Sequence, residues 1–273
     1  MTPARLLFLA LFNASVLLLP RLAPASTTTD LPAVLGQRLD GAGPAIDIAG
    51  YPVDSGQIRQ FYATRDNQPI WIENGVVNGR ARTLIEYLRQ AGNEGLNPKD
   101  YQPLLTSAAS PEDLAAMELA LSAALVRFAN DVTRGRVEPS KVGAEQVAYA
   151  PPVDVVALLT GASDGSDLRA YLASLPPTNP VYQGLRSALA RYKEIAAQGG
   201  WPLVPAGSKL ARGAKSPAVP LLRQHLQLTG DLPPGDGSST LYDEAVERAV
   251  KHFQARHGLK ADGQVNAATL AEL

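Results

Sequence analysis

The stretch from Ser110 to Arg136 constrains the fold more than any other part of the chain. Ser110 followed by Pro111, Glu112 and Asp113 is a helix start. The serine hydroxyl can accept from a free backbone N–H, proline suits the first helical position, and acids favour the positive helix end. Leu114, Met117, Leu121, Leu125, Phe128 and Val132 then recur at helical spacing for about five turns. Thr133-Arg134-Gly135-Arg136 stops the run. Alanines fill the gaps, so this helix is expected at the centre of its domain. No period-two alternation lasts more than a few residues before Leu210, and no repeat is evident, so this region is expected to be mostly helical.

A chain of 273 residues has room for one large or two modest domains. Its 45% hydrophobic and 19% charged residues are globular in kind and argue against disorder over most of its length. The first 25 residues stand apart. Arg5 precedes an apolar run from Leu6 to Leu19, and Ala23-Pro24-Ala25 is a small-x-small cleavage pattern. This reads as a secretory signal peptide cut near Ala25, too short for a membrane anchor. No later segment is long and apolar enough to span a membrane. Removing Arg5 and Arg21 from the 25 basic residues leaves 23 against 26 acidic ones, a net charge of −3 that gives no footprint for nucleic acid. There is no cysteine, so no disulfide can form and packing alone must hold the core.

Residues 26–50 are rich in Thr, Pro, Gly and Ala and are expected to be a flexible arm, with order beginning near Tyr51. Asp54 or Ser55 caps a helix carrying Ile58, Phe61 and Tyr62. Pro69 ends it, and Ile70-Trp71-Ile72 is a short apolar run. Asn78 caps a helix with Ala81, Leu84, Ile85 and Leu88 on one face, and Asn97-Pro98 opens a further short turn. After a loop punctuated by Pro139, Pro151 and Pro152, short helices are expected over Val153 to Leu159 and Asp167 to Leu175. Asn179-Pro180 starts another, with Tyr182, Leu185, Leu189, Tyr192 and Ile195 on one side. Gly199-Gly200-Trp201-Pro202 closes it, and residues 205–208 read as a linker.

The last third predicts three short helices with glycine-rich joints, a bundle of about 60 residues near the lower size limit for independent folding. Ser216-Pro217 opens the first, with Val219, Leu222, Leu226 and Leu228 on its apolar face and Gly230 at its end. Ala245, Val246, Ala249, Val250 and Phe253 form the stripe of the second. Gly258 suits the left-handed residue that follows a helix, Leu259 can fold back on the last turn, and Asp262-Gly263 is a turn pair. Asn266 caps the third helix.

Two sets of residues resemble known families. Leu210-x-x-Gly213, Val219-x-x-Leu222, Leu226-x-x-x-Gly230, Tyr242-Asp243, Val250-x-x-Phe253-Gln254-x-x-His257-Gly258-Leu259-x-x-Asp262-Gly263 and Thr269-Leu270 resemble peptidoglycan-binding domain 1. Phe61-Tyr62-x-x-Arg65-x-x-x-Pro69-x-Trp71, Leu84-x-x-x-Leu88-x-x-Ala91-x-x-x-Gly95-Leu96-x-Pro98-x-Asp100-Tyr101, Gly135-Arg136-Val137-x-Pro139, Pro180-x-Tyr182-x-x-Leu185 and Gly199-Gly200-Trp201-Pro202 resemble the scaffold domain of large periplasmic L,D-transpeptidases. The resemblance implies a mainly α chain: a helical scaffold over 51–204, then a three-helix peptidoglycan-binding bundle over 205–273. It implies a periplasmic protein whose partner is peptidoglycan, glycan strand or stem peptide.

That family's chemistry lies in a further, mainly β domain with a cysteine nucleophile and a histidine base. A thiolate suits it, because it attacks an amide carbonyl and leaves again from a thioester. With no cysteine in these residues, no catalytic residue is expected among them, and no cofactor. Either this is a wall-binding protein derived from such an enzyme, or it is a truncated or split transpeptidase. The stop at Leu273, inside the bundle's last helix, leads to the expectation of truncation. A third reading makes it a scaffold that docks a wall-modifying enzyme. His225, His252 and His257 lack ligand spacing, so no metal site is expected. Glu73, Glu94, Asp100 and Glu145 are the isolated acids that a glycosidase reading would need in a cleft. For a muropeptide, with its hydroxyls, acetamides and carboxylates, the candidate contacts are Tyr242, Gln254, Arg256 and Arg223. Gln254 has an alternative role, bracing the Asp262-Gly263 turn. Trp71 and Trp201 are either ligand platforms or pins of the fold.

Overall fold

The computed structural model describes residues 31–48, 51–102, 110–137, 151–165 and 167–273. The expected signal peptide and Glu145 lie outside them. The described residues are mainly helical, with two small antiparallel sheets. They divide into two compact units: residues up to Arg89 with Lys99–Ala173, and Gln90–Pro98 with Ser174–Leu273.

The first unit holds helices α1 (Leu31–Asp40), α2 (Ser55–Ala63), α3 (Gly79–Arg89), α4 (Pro111–Arg134), α5 (Val155–Asp164) and α6 (Leu168–Ala173). Strands β1 (Ala45–Ile48) and β2 (Tyr51–Asp54) pair with Ile46 opposite Val53, and β3 (Ile72–Glu73) pairs with β4 (Val76–Val77). Helix α4 starts as its sequence dictates: the Ser110 side chain accepts from Asp113 N–H, and Pro111 opens the helix. Every residue from Leu121 to Ala129 is buried. The stripe predicted one buried face; the alanines on the others let α1, α3, α5 and the β1–β2 ribbon close in around it.

The arm expected over residues 26–50 is corrected from Leu31 onward. Leu31, Leu35 and Leu39, four apart, are buried on α1, which packs against α4. The Arg59 guanidinium donates to Leu39 C=O at 2.9 and 2.7 Å and to Ala42 C=O at 3.1 Å, serving carbonyls that the end of α1 leaves open. Proline, glycine and threonine around this segment hid a three-turn amphipathic pattern. Between β3 and β4 the turn residues Asn74 and Gly75 both have positive φ, 52° and 76°. That is the conformation an Asn-Gly hairpin turn requires.

The second unit holds α7 (Pro180–Ala197), α8 (Ala218–Thr229), α9 (Glu244–Arg256) and α10 (Ala267–Glu272). Asn179 caps α7 by accepting from Tyr182 N–H. Of the apolar side expected on α7 only Ile195 is buried, and Leu185 is 67% exposed. The segment 90–98 lies along this helix: Glu94 accepts from the Tyr182 hydroxyl at 2.7 Å and pairs with Arg186 at 3.0 Å. Helices α8, α9 and α10 close around Val219, Leu222, Leu226, Val246, Val250 and Phe253. Both glycine stops form as expected. Gly230 takes φ 82° while Asp231 N–H bonds Leu226 C=O, and Gly258 takes φ 69° while Leu259 N–H bonds Gln254 C=O. The last turn of each helix is thereby closed from outside. Antiparallel bridges Leu210–Val265 and Lys215–Leu241 tie the joints together.

Candidate functional site

Beside its apolar core the bundle has a buried polar turn and a partly exposed aromatic and ionic surface, and the candidate contacts fall on both. Gln254, at the end of α9, is fully buried. Its amide N–H groups donate to Asp262 at 3.2 Å, Gln264 C=O at 2.9 Å and the Thr269 hydroxyl at 3.0 Å, while its carbonyl accepts from Gly263 N–H at 2.8 Å. Gly263 sits at φ 73°, which permits the turn that brings these groups round the amide. Tyr242 is also fully buried, and its hydroxyl donates to Gly263 C=O at 2.8 Å. Burial raises its ionisation well above a free phenol, so it is neutral. Gln254 and Tyr242 are therefore spent on holding the 262–264 turn, the bracing role left open for Gln254 above. Arg223 is likewise enclosed: it donates to Leu241 C=O at 3.0 Å and pairs with Asp243, the residue that caps α9.

Arg256 is placed differently. Its side chain is 35% exposed and forms a two-point pair with Asp231 at 2.9 and 2.6 Å. Asp231 follows the Gly230 stop of α8 and also accepts from Thr229 at 2.7 Å, with the His252 ring nitrogen at 2.7 Å. Burial raises the Asp231 carboxyl, but the bonds from Arg256, Thr229 and His252 outweigh it and hold the group below the usual aspartate range. The Arg256 guanidinium lies 4.9 Å from the centre of the Phe253 ring.

Next to this ion pair runs a chain of rings. Tyr192 of α7 and Trp201 meet edge to face, 6.0 Å between centres and 83° between planes. Trp201 lies 5.4 Å from His225, and His225 6.1 Å from Phe253. Phe253 stacks on His257 at 4.2 Å. Tyr192 and Trp201 are 40% and 38% exposed, whereas His225 is 2% exposed. Burial lowers the His225 pKa, and its ring bonds the Pro202 backbone, which leaves Nδ1 buried with no partner among the described residues. Of the two tryptophans, Trp71 is fully buried and pins the first unit, while Trp201 faces solvent in part.

Among the described residues, none of the isolated acids is found paired with a second carboxylate in a cleft. Glu73 lines a cleft of about 390 Å³ with Pro69, Ile72, Asn74, Asn78 and Leu114, and among the described residues no second carboxylate lines it. Glu94 is committed to Tyr182 and Arg186, and Asp100 to Arg136 at 2.8 Å. Among the described residues, the acid whose ionisation is most displaced is one that sequence reasoning passed over, Glu118. Burial pushes it up to about 7, against the pull of the Ile70, Tyr62, Trp71 and Ile72 donors. It accepts from Ile70 N–H at 2.6 Å, Trp71 N–H at 3.0 Å and the Tyr62 hydroxyl at 2.7 Å. Ser122 completes the group, accepting from the Trp71 indole at 2.8 Å. Fully enclosed, Glu118 holds main chain and has no open face for a substrate. The only trace of it in the sequence is a lone acid within the apolar run of α4. Asp231 was missed because its partners Arg256 and His252 lie on α9, more than 20 residues away.

Residues 56–189 match the scaffold domain of the L,D-transpeptidase type, and residues 215–273 match peptidoglycan-binding domain 1. No curated protein matches the chain. Among the described residues, no helix is long and apolar enough to cross a membrane.

Proposed function

We propose, on the premise that residues 56–189 belong to the L,D-transpeptidase scaffold family and residues 215–273 to the peptidoglycan-binding domain 1 family, that this chain is an envelope protein that holds peptidoglycan through its C-terminal bundle. The observation that carries this reading is the coincidence of the second match with a closed helical unit that has its own core. In this reading the protein acts in the periplasm, delivered by a signal peptide over residues 1–25. The helical scaffold keeps the bundle beside the machinery that cross-links the wall. The 273 residues contain no cysteine, so the thiolate of that cross-linking comes from a separate wall-modifying enzyme or a further domain. Arg256 is retained as a ligand contact, because its side chain is 35% exposed. Tyr242, Gln254 and Arg223 support the site by fixing the turns around it.

Pelleting the protein with purified sacculi tests the reading. Recovery in the pellet, competed by soluble wall fragments, is the expected result; protein left wholly in the supernatant refutes it. A second reading, the front part of a longer or split L,D-transpeptidase, is favoured by the order of the two matched domains. Reading the coding DNA beyond Leu273 decides between them: a histidine and Ser-x-Gly-Cys domain in frame supports the second.

A further inference from the structure

Residues 190–214 lie outside both family matches, yet they supply the most exposed aromatic surface of the second unit. Tyr192 and Trp201 meet at 83°, so the two rings form an open corner, and each is more than a third exposed. Packed rings link the corner to the Arg256–Asp231 pair: Trp201 lies 5.4 Å from His225, His225 6.1 Å from Phe253, and the Arg256 guanidinium 4.9 Å from the Phe253 centre. Directly behind Trp201, His225 carries a buried nitrogen without a partner.

Two features decide which part of the wall polymer fits. A flat ring beside an edge-on ring matches the C–H face of a pyranose, which is apolar, rigid and of similar breadth. Arg256 is already paired with Asp231, and Arg191, next to Tyr192 in the chain, donates to Leu228 C=O, so the guanidiniums near this corner are held as directional N–H donors. A neutral N-acetylated sugar needs a platform plus donors and acceptors, and these are present.

We propose that Trp201 and Tyr192, flanked by Arg256, form a glycan subsite that takes one N-acetylhexosamine of the murein strand. This deepens the wall-binding reading and rests on it. Trp201 stacks on the sugar face, Tyr192 closes one side, and the outer edge of Arg256 donates to an acetamido or hydroxyl oxygen.

The test uses the full chain and two probes, a β-1,4-linked N-acetylglucosamine oligomer and the free stem peptide. Trp71 is fully buried, so a shift in tryptophan emission on adding the oligomer reports Trp201. The expected result is saturable binding of the oligomer that persists at high salt and no response to the peptide. Calorimetry on Trp201→Ala should show about tenfold weaker oligomer binding. Tyr192→Ala serves as a second variant with the reporter intact, and circular dichroism checks that both fold. Sacculi retaining wild type and Trp201→Ala alike would overturn the subsite and leave the wall-binding reading standing. A response to the peptide and none to the oligomer would also overturn it. If wild type fails to bind sacculi at all, both readings fall together.

Discussion

Replacing Glu118 by alanine tests the account of the first unit most sharply. The change leaves the Ile70 and Trp71 amides without their acceptor in a fully buried place. Each orphaned donor costs about 1–3 kcal/mol, so for the two amides the loss is about 2–6 kcal/mol with Glu118 neutral. The size of the loss depends on pH. Burial raises the Glu118 pKa from 4.5 to about 7 in the folded protein, so between those values the native state binds more protons than the unfolded chain. Stability from this group is full below about pH 4.5 and is lost as pH rises through about 7. The span is worth about 3 kcal/mol at 1.36 kcal/mol per pK unit. Alanine should therefore cost most near the acid end of this window and least above it. Glu118→Gln, which keeps one acceptor, should abolish the pH dependence and cost less than alanine at low pH. Denaturant unfolding of the full chain in a Trp201→Phe background makes Trp71, inside the network, the sole tryptophan reporter. A wild-type stability that is flat or rises with pH across the window would refute the reasoning, as would an alanine variant within about 0.5 kcal/mol of wild type at its acid end.

Three further outcomes follow from the same geometry. Gln254→Leu should lower the stability of the second unit by about 2–4 kcal/mol, since it orphans Gly263 N–H and acceptors in the turn; an unchanged melting midpoint by calorimetry would contradict the bracing role. Asp231, held below its usual pKa although burial alone would raise it, contributes stability above its unfolded value that is lost as pH falls through the folded one. The second unit should thus weaken in acid below about pH 4, and Asp231→Asn should weaken it at neutral pH and flatten that acid limb; titration of unfolding midpoints reads both. Leu35→Ala should destabilise the first unit by about 2–5 kcal/mol because Leu35 is fully buried against α4, whereas a loose arm would show no effect in the same denaturant assay.

The sequence alone determined what acts within a turn or two of chain. Ser110, Asn179 and Asn266 cap their helices because a cap bonds an amide two or three residues on. Gly230 and Gly258 stop theirs because positive φ is a local demand. The motifs that identify the bundle belong to this class, which is why its family was legible before its geometry. Tertiary structure decided what depends on distant partners. Glu118 serves amides 47 and 48 residues away, and Arg256 finds Asp231 across 25. Whether Gln254 and Tyr242 face a ligand or the core, and whether Trp201 faces solvent, turns on which surfaces close over them. A buried polar group takes its partner from packing, and packing is set by the whole chain rather than by neighbours in sequence.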